Sequence, residues 1–297
     1  MIGVMRERIP KGSNLANSLM EILCMGKEAI YRRLRGEVAF TFEEVSLISQ
    51  HLGISLDKIV GRRMLNDTMF DLNLLHTGDP IESYYEILVR YAKLFDLLRD
   101  DPTASVATAS NLIPFTFYSP YECLSKFRLG RWIYHHGKMK PPASLSDLQV
   151  PDKVPQMHWK LSASIRQLSH TSFIWDYNIF RSIVKEIRYF AGLDLLSAED
   201  VRNMKKELGL LLSELEAVTT TGEFSKGHSL AIYLSDINFE ATYTYVEKGD
   251  FQACLFRVYS INSMDSQNPR MCNIQKNWIQ SLKRHSTLIS QSSEIQR

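Results

Sequence analysis

Helix punctuation constrains this chain more than any other feature. Between Met1 and Leu65, helix-breaking positions recur at Cys24-Met25-Gly26, at Gly36 and at Gly53. The residues between them are apolar at helical spacing. Leu15, Leu19, Ile22 and Leu23 form one stripe, and Ile30 and Leu34 form another. Ser13 can cap a helix over Asn14–Leu23. A second helix, Lys27–Arg35, stops at Gly36, the usual left-handed residue just past a helix end. Thr41-Phe42-Glu43-Glu44 is a capping box that opens a helix to about Leu52, ended by Gly53. Ser55 caps one more, with Asp57 in its first turn and Arg62 and Arg63 near its end, as the helix dipole favours. Short helices joined by tight turns predict a compact all-α bundle.

Turn formers from Asn66 to Pro80 place a boundary there. Beyond it, Ile81–Leu98 is a strong amphipathic helix, and residues 101–120 are polar, then aromatic, between prolines. Tyr121–His135 reads as helix, Gly137–Pro155 as a proline-containing loop, and Asp176–Leu193 and Ala198–Val218 as further helices. The character changes after Gly222. Leu230–Asn238 and Phe239–Glu247 are rich in Ile, Tyr, Thr and Val, and Phe239, Ala241, Tyr243 and Tyr245 alternate onto one face. Lys248-Gly249-Asp250 is a hairpin turn from which Phe251–Ile261 returns as a strand, and Asn268–His285 is a closing helix. The expected fold is therefore mainly α with a small α+β C-terminal part. It divides into an N-terminal helical domain over 1–66, a helical dimerisation or regulatory region over 80–222, and a small antiparallel sheet with a closing helix over 223–297.

A length of 297 residues suits two or three cores. No apolar run reaches the roughly 18 residues needed to span a bilayer, and the opening MIGVMRERIPKGS has no signal-peptide core. Cys24, Cys123, Cys254 and Cys272 are widely spaced and read as reduced thiols of a cytoplasmic protein. The net charge of +2 says little, but its distribution says more. Through Leu65 there are ten basic residues against seven acidic, an excess concentrated in Lys27–Arg35, where four cations face Glu28 alone.

That helix has two faces. Ile30 and Leu34 lie within one narrow sector and face the core, while Glu28, Tyr31, Arg32 and Arg35 fall on the opposite side. Arginine presents a fork to guanine O6 and N7 or to phosphate, glutamate accepts from cytosine N4, and tyrosine meets a phosphate or a thymine methyl. Lys27 and the amides at the helix N-terminus suit phosphate. The run LMEILCMGKEAIYRRLRGE followed by FTFEEVSLISQHLGISLDKIV resembles the lambda-repressor/Cro-type helix-turn-helix family over about Ser13–Leu65. The resemblance implies that Leu19, Leu23, Met25 and Ile30 are core. It also implies that Gly26, Lys27, Glu28, Tyr31, Arg32 and Arg35 face double-stranded DNA. Met20 stands where the family has a small residue, Cys24 where it has a turn glycine, and Gly26 where it has a capping Ser or Thr. The family's first helix reduces here to what forms around Val4–Ile9.

The expectation is a dimeric transcription regulator whose C-terminal part pairs the DNA-binding domains and senses a small-molecule or protein effector. It needs no cofactor, no metal, no catalytic residue and no membrane. The alternatives are an enzyme or effector domain localised by the helix-turn-helix, or a protein-interaction module with a degenerate one. No nucleophile elbow, phosphate loop, zinc-protease or dinucleotide motif is present. His135-His136 has no metal partner at helical spacing, and Asp236 and Glu240 read as ordinary strand-end carboxylates. The aromatic segment Phe115–Tyr121, with Trp132, Tyr134, Trp159, Phe173, Trp175 and Tyr177, reads as core ahead of a ligand pocket.

Overall fold

Chain contacts divide the protein into two units, Met1–Met69 and Phe70–Arg297, in a computed structural model that describes residues 2–9, 14–54, 56, 70–72, 78–136 and 144–291.

The first unit has helices α1 (Ile2–Arg8), α2 (Leu15–Leu23), α3 (Lys27–Leu34) and α4 (Phe42–Leu52). Their ends follow local chemistry. Asn14 caps α2, its Oδ1 accepting from the Ala16 amide at 2.9 Å, so the cap lies one residue later than the Ser13 expected. The Thr41–Glu44 capping box is formed in both directions, at 3.2 and 3.0 Å. Three helices stop on left-handed residues, Gly36 (φ +81°), Gly53 (φ +61°) and Cys24 (φ 51°). A non-glycine residue in this region costs about 1–2 kcal/mol. Cys24 therefore carries backbone strain at the position where the helix-turn-helix pattern has glycine. Met5, Ala16, Leu19, Ile30, Ile48 and Ile54 form the buried core, with Leu23, Met25 and Leu34 half-buried at its edge. The helix expected from Ser55 to Arg63 lies, apart from Leu56, outside the described residues.

The second unit overturns the mainly-α expectation. Its centre is a nine-stranded mixed sheet, ordered β1-β8-β7-β6-β2-β3-β5-β4, with β9 also paired to β5. The strands are β1 (Asp71–Leu72), β2 (Ser105–Ser110), β3 (His170–Asp176), β4 (Glu223–Ser225), β5 (His228–Ser235), β6 (Tyr243–Lys248), β7 (Phe251–Val258), β8 (Asn262–Ser266) and β9 (Ser286–Leu288). The β2/β3 and β3/β5 pairs are parallel, and the rest are antiparallel. Parallel neighbours need long crossovers, and helices supply them. Between β2 and β3 run α6 (Phe115–Tyr118), α7 (Glu122–His135) and α8 (Lys153–Arg166); between β3 and β4 run α9 (Ile179–Gly192) and α10 (Ala198–Thr221). Helix α5 (Pro80–Leu98) precedes β2, and α11 (Pro269–Leu282) follows β8.

The sheet is covered on both faces, by different means. Val106, Phe173, Trp175, Leu230, Ile232, Val246 and Leu255 join residues of α5 to α10 in the larger core. On the other face Ala109, Ile174, Tyr245 and Cys254 pack with Cys272, Ile279 and Leu282 of α11. The expected hairpin forms, with Lys248 opposite Phe251 across Gly249-Asp250. It is one part of a sheet that takes β2 and β3 from the stretch expected to be helical.

His158 of α8 is buried beneath α5, with Nε2 3.0 Å from the Tyr84 hydroxyl. Burial, reinforced by the positive charge of Arg128, pulls its pKa from 6.5 to about 4. The folded state holds this ring neutral, so as pH falls the unfolded chain takes up a proton first. The site's contribution to stability is complete above pH 6.5 and declines toward pH 4, by about 3 kcal/mol in all. Urea midpoints of the second unit measured at pH 7 and pH 5 should differ accordingly, and His158→Gln should shrink that difference. An unchanged pH dependence in the variant would show that His158 is not the group responsible.

Candidate nucleic-acid interface

Helix α3 is only eight residues long, and its orientation rests on few contacts. Ile30 is fully buried against α2 and α4 residues, and Leu34 is half-buried on the same side. Arg33 also points inward. Its Nε and Nη2 donate to the two carboxylate oxygens of Glu44 at 2.9 and 2.8 Å, a two-pronged clamp between α3 and α4. The guanidinium holds the Glu44 carboxyl below the usual carboxylate range. Of the four cations counted in Lys27–Arg35, Arg33 is thus structural, and Lys27, Arg32 and Arg35 remain on the outside.

Gly26, Lys27, Glu28, Arg32 and Arg35 are all exposed. Tyr31 is not fully part of this set. It is half-buried at the core edge, with the Lys27 ammonium 5.9 Å above its ring. Gly26 opens α3 in an extended conformation without a side-chain cap, and a Cβ built there would meet nothing within 4 Å. The first amides of α3 are therefore open to an anion, as the helix dipole favours.

The end of α3 brings in a residue that the periodicity did not single out. The Gly36 amide bonds the Arg33 carbonyl at 3.0 Å and the Glu37 amide bonds the Arg32 carbonyl at 2.9 Å, the paired bonds of a Schellman stop. This reversal lays Glu37 back over the helix. Its carboxylate accepts from Arg35 Nε at 2.6 Å and lies 3.5 Å from Arg32 Nε, while Arg35 also lies 3.5 Å from Glu28. Arg35 in turn holds Glu37 below the usual carboxylate range. All four side chains are near half exposed or more. Such pairs are worth about 0–1 kcal/mol, whereas a good bidentate base contact is worth about 1–3 kcal/mol. The arginines can therefore exchange Glu37 for a base edge at little cost. Glycine at the left-handed stop followed directly by Glu was the available sequence signal.

Trp132, Phe173, Trp175, Phe115 and Phe117 are buried, while Tyr134, Trp159 and Tyr177 are exposed and do not join them. His136 lies against Trp132, with ring centroids 3.9 Å apart and planes tilted by 44°. Among the described residues no group of three or more His, Cys, Asp or Glu could hold a metal ion, and no helix is long and apolar enough to cross a membrane. No family model, curated protein or solved structure matches the chain.

Proposed function

We propose that this protein is a cytoplasmic, sequence-specific DNA-binding transcription regulator that acts as a homodimer. One observation carries the reading. Helix α3 is docked through Ile30 and the Arg33–Glu44 clamp, and its outer side presents Lys27, Arg32 and Arg35 beside an uncapped, unobstructed N-terminus. This is the arrangement a recognition helix needs, with cations for phosphate at its start and forked donors for base edges along its face. One such helix contacts few base pairs, and two half-sites double the contact set.

The test begins with selection of bound duplexes from a random library, followed by titrations over a salt series. Arg32→Ala should weaken specific binding by about 1–3 kcal/mol and relax preference at one base position. Lys27→Ala should weaken all sequences alike and flatten the salt slope by about one, since it meets phosphate. If no duplex is enriched, or neither variant changes affinity, the DNA-binding reading is lost.

A further inference from the structure

A sheet face buried under helices is normally apolar, and part of this one is not. Strand register brings Thr108 opposite Thr244 and places Arg257 opposite Ser263 on the side covered by α5 and α6. With Thr116 and Thr242 these groups line a cavity. Its other walls are apolar and aromatic, chiefly Tyr91, Phe95, Phe115 and Ile165.

The cavity lies on the antiparallel side of the sheet, where Thr108 pairs with Thr244 and Arg257 with Ser263.

The polar groups are not satisfied by one another. The shielded Nη1 of Arg257 has no hydrogen-bond partner, and neither does the buried Thr116 hydroxyl. The described lining residues include no Asp or Glu. Burial, with the positive charge of Arg128, lowers the Arg257 pKa to about 10, so the guanidinium stays charged at neutral pH without an anion. Glu186, which lies beside Arg128 in a neighbouring cavity, is already ion-paired with Arg131. Thr108 and Thr244 share one bond at 3.1 Å, which leaves one of the two hydroxyl protons for another acceptor. A guanidinium N–H shielded from water without an acceptor is costly, here on a half-buried arginine. Its retention points to a ligand.

We propose that this cavity binds a small organic carboxylate, its head held by the Arg257 guanidinium and the wall hydroxyls, its body packed against Tyr91, Phe95, Phe115 and Ile165. One guanidinium balances one negative charge, and its fork matches a carboxylate. A phosphate dianion would leave a charge uncompensated, and the apolar walls offer it nothing. The inference stands apart from the DNA-binding reading, because every residue it uses belongs to the second unit.

Calorimetric titration of the full chain with sodium benzoate, sodium isovalerate, benzamide and inorganic phosphate tests it. At least one carboxylate should bind saturably, and benzamide and phosphate should not. Arg257→Met should weaken that binding roughly 10- to 100-fold, as expected for loss of a charged hydrogen bond. The same variant, free of ligand, should melt above the parent protein, because the shielded N–H without an acceptor is gone. Thr116→Val should keep its fold, since its hydroxyl has no internal partner, and should bind several-fold more weakly. The proposal falls if neither carboxylate saturates, if benzamide or phosphate binds as well, or if both variants bind like the parent. A ligand-free Arg257→Met that melts lower would also overturn it, by showing that the guanidinium already has a structural partner.

Discussion

Ile30→Ala should destabilise the unit Met1–Met69 by about 2–5 kcal/mol, a large share of the ~5–15 kcal/mol that holds a typical domain. Ile30 is fully buried at the centre of a small core, and the short helix that carries it has few other anchors. Truncation leaves a cavity that Leu19 and Ile48 cannot fill without moving their own helices. Hydrogen exchange read by mass spectrometry should show protection lost across 15–52 and retained across 80–136 and 144–291. DNA binding should disappear with the fold. Ile30→Val, which removes one methylene, should cost only about 0.5–1.5 kcal/mol and leave binding measurable. Arg32→Ala supplies the contrast, since an exposed side chain can be removed with the exchange pattern intact. Native protection in Ile30→Ala would mean that α3 is phased differently and that Lys27, Arg32 and Arg35 are not its outward set.

The larger effect on function should come from cutting the chain. A fragment of residues 1–69, checked for helicity by circular dichroism, should bind a two-half-site duplex about 10²- to 10⁴-fold more weakly than the full chain. Linking two sites raises affinity by that order without any new contact, so its loss exceeds what any one side chain contributes. The full chain should sediment as a dimer and the fragment as a monomer. The region from Ile81 to Val218, expected from its sequence to form the contact, leaves Tyr189, Leu193, Leu210 and Leu212 exposed on and beside α9 and α10. A monomeric full chain at micromolar concentration, or a fragment with undiminished affinity, would defeat the claim that the second unit pairs the DNA-binding units.

The first unit was legible because its signals are local. The reciprocal Thr41–Glu44 cap, the stops at Gly36 and Gly53 and the inward phase of Ile30 each depend on residues within one or two helical turns. Even there, tertiary packing decided two side chains. It turned Arg33 inward onto Glu44, eleven residues away, and seated Tyr31 against the core edge. In the second unit the same reasoning found the amphipathic helices α5 and α10, capped by Asp79 and Ser197, but missed the centre of the sheet. Strand β2 reads Ser-Val-Ala-Thr-Ala-Ser and shows neither the apolar run of a buried parallel strand nor a clean alternation. Its small residues are explained only by what they meet. Ala107 and Ala109 lie against the core beneath α11, and Thr108 faces the Arg257 cavity. Strand β3 borders it only after fifty-nine residues of crossover, a pairing that no local window contains. The sequence by itself determined caps, stops and helix phases, because these are energies of neighbouring residues. Which strands share a sheet, and which polar groups are buried without partners, depends on contacts distant in the chain, and only the tertiary structure decided them.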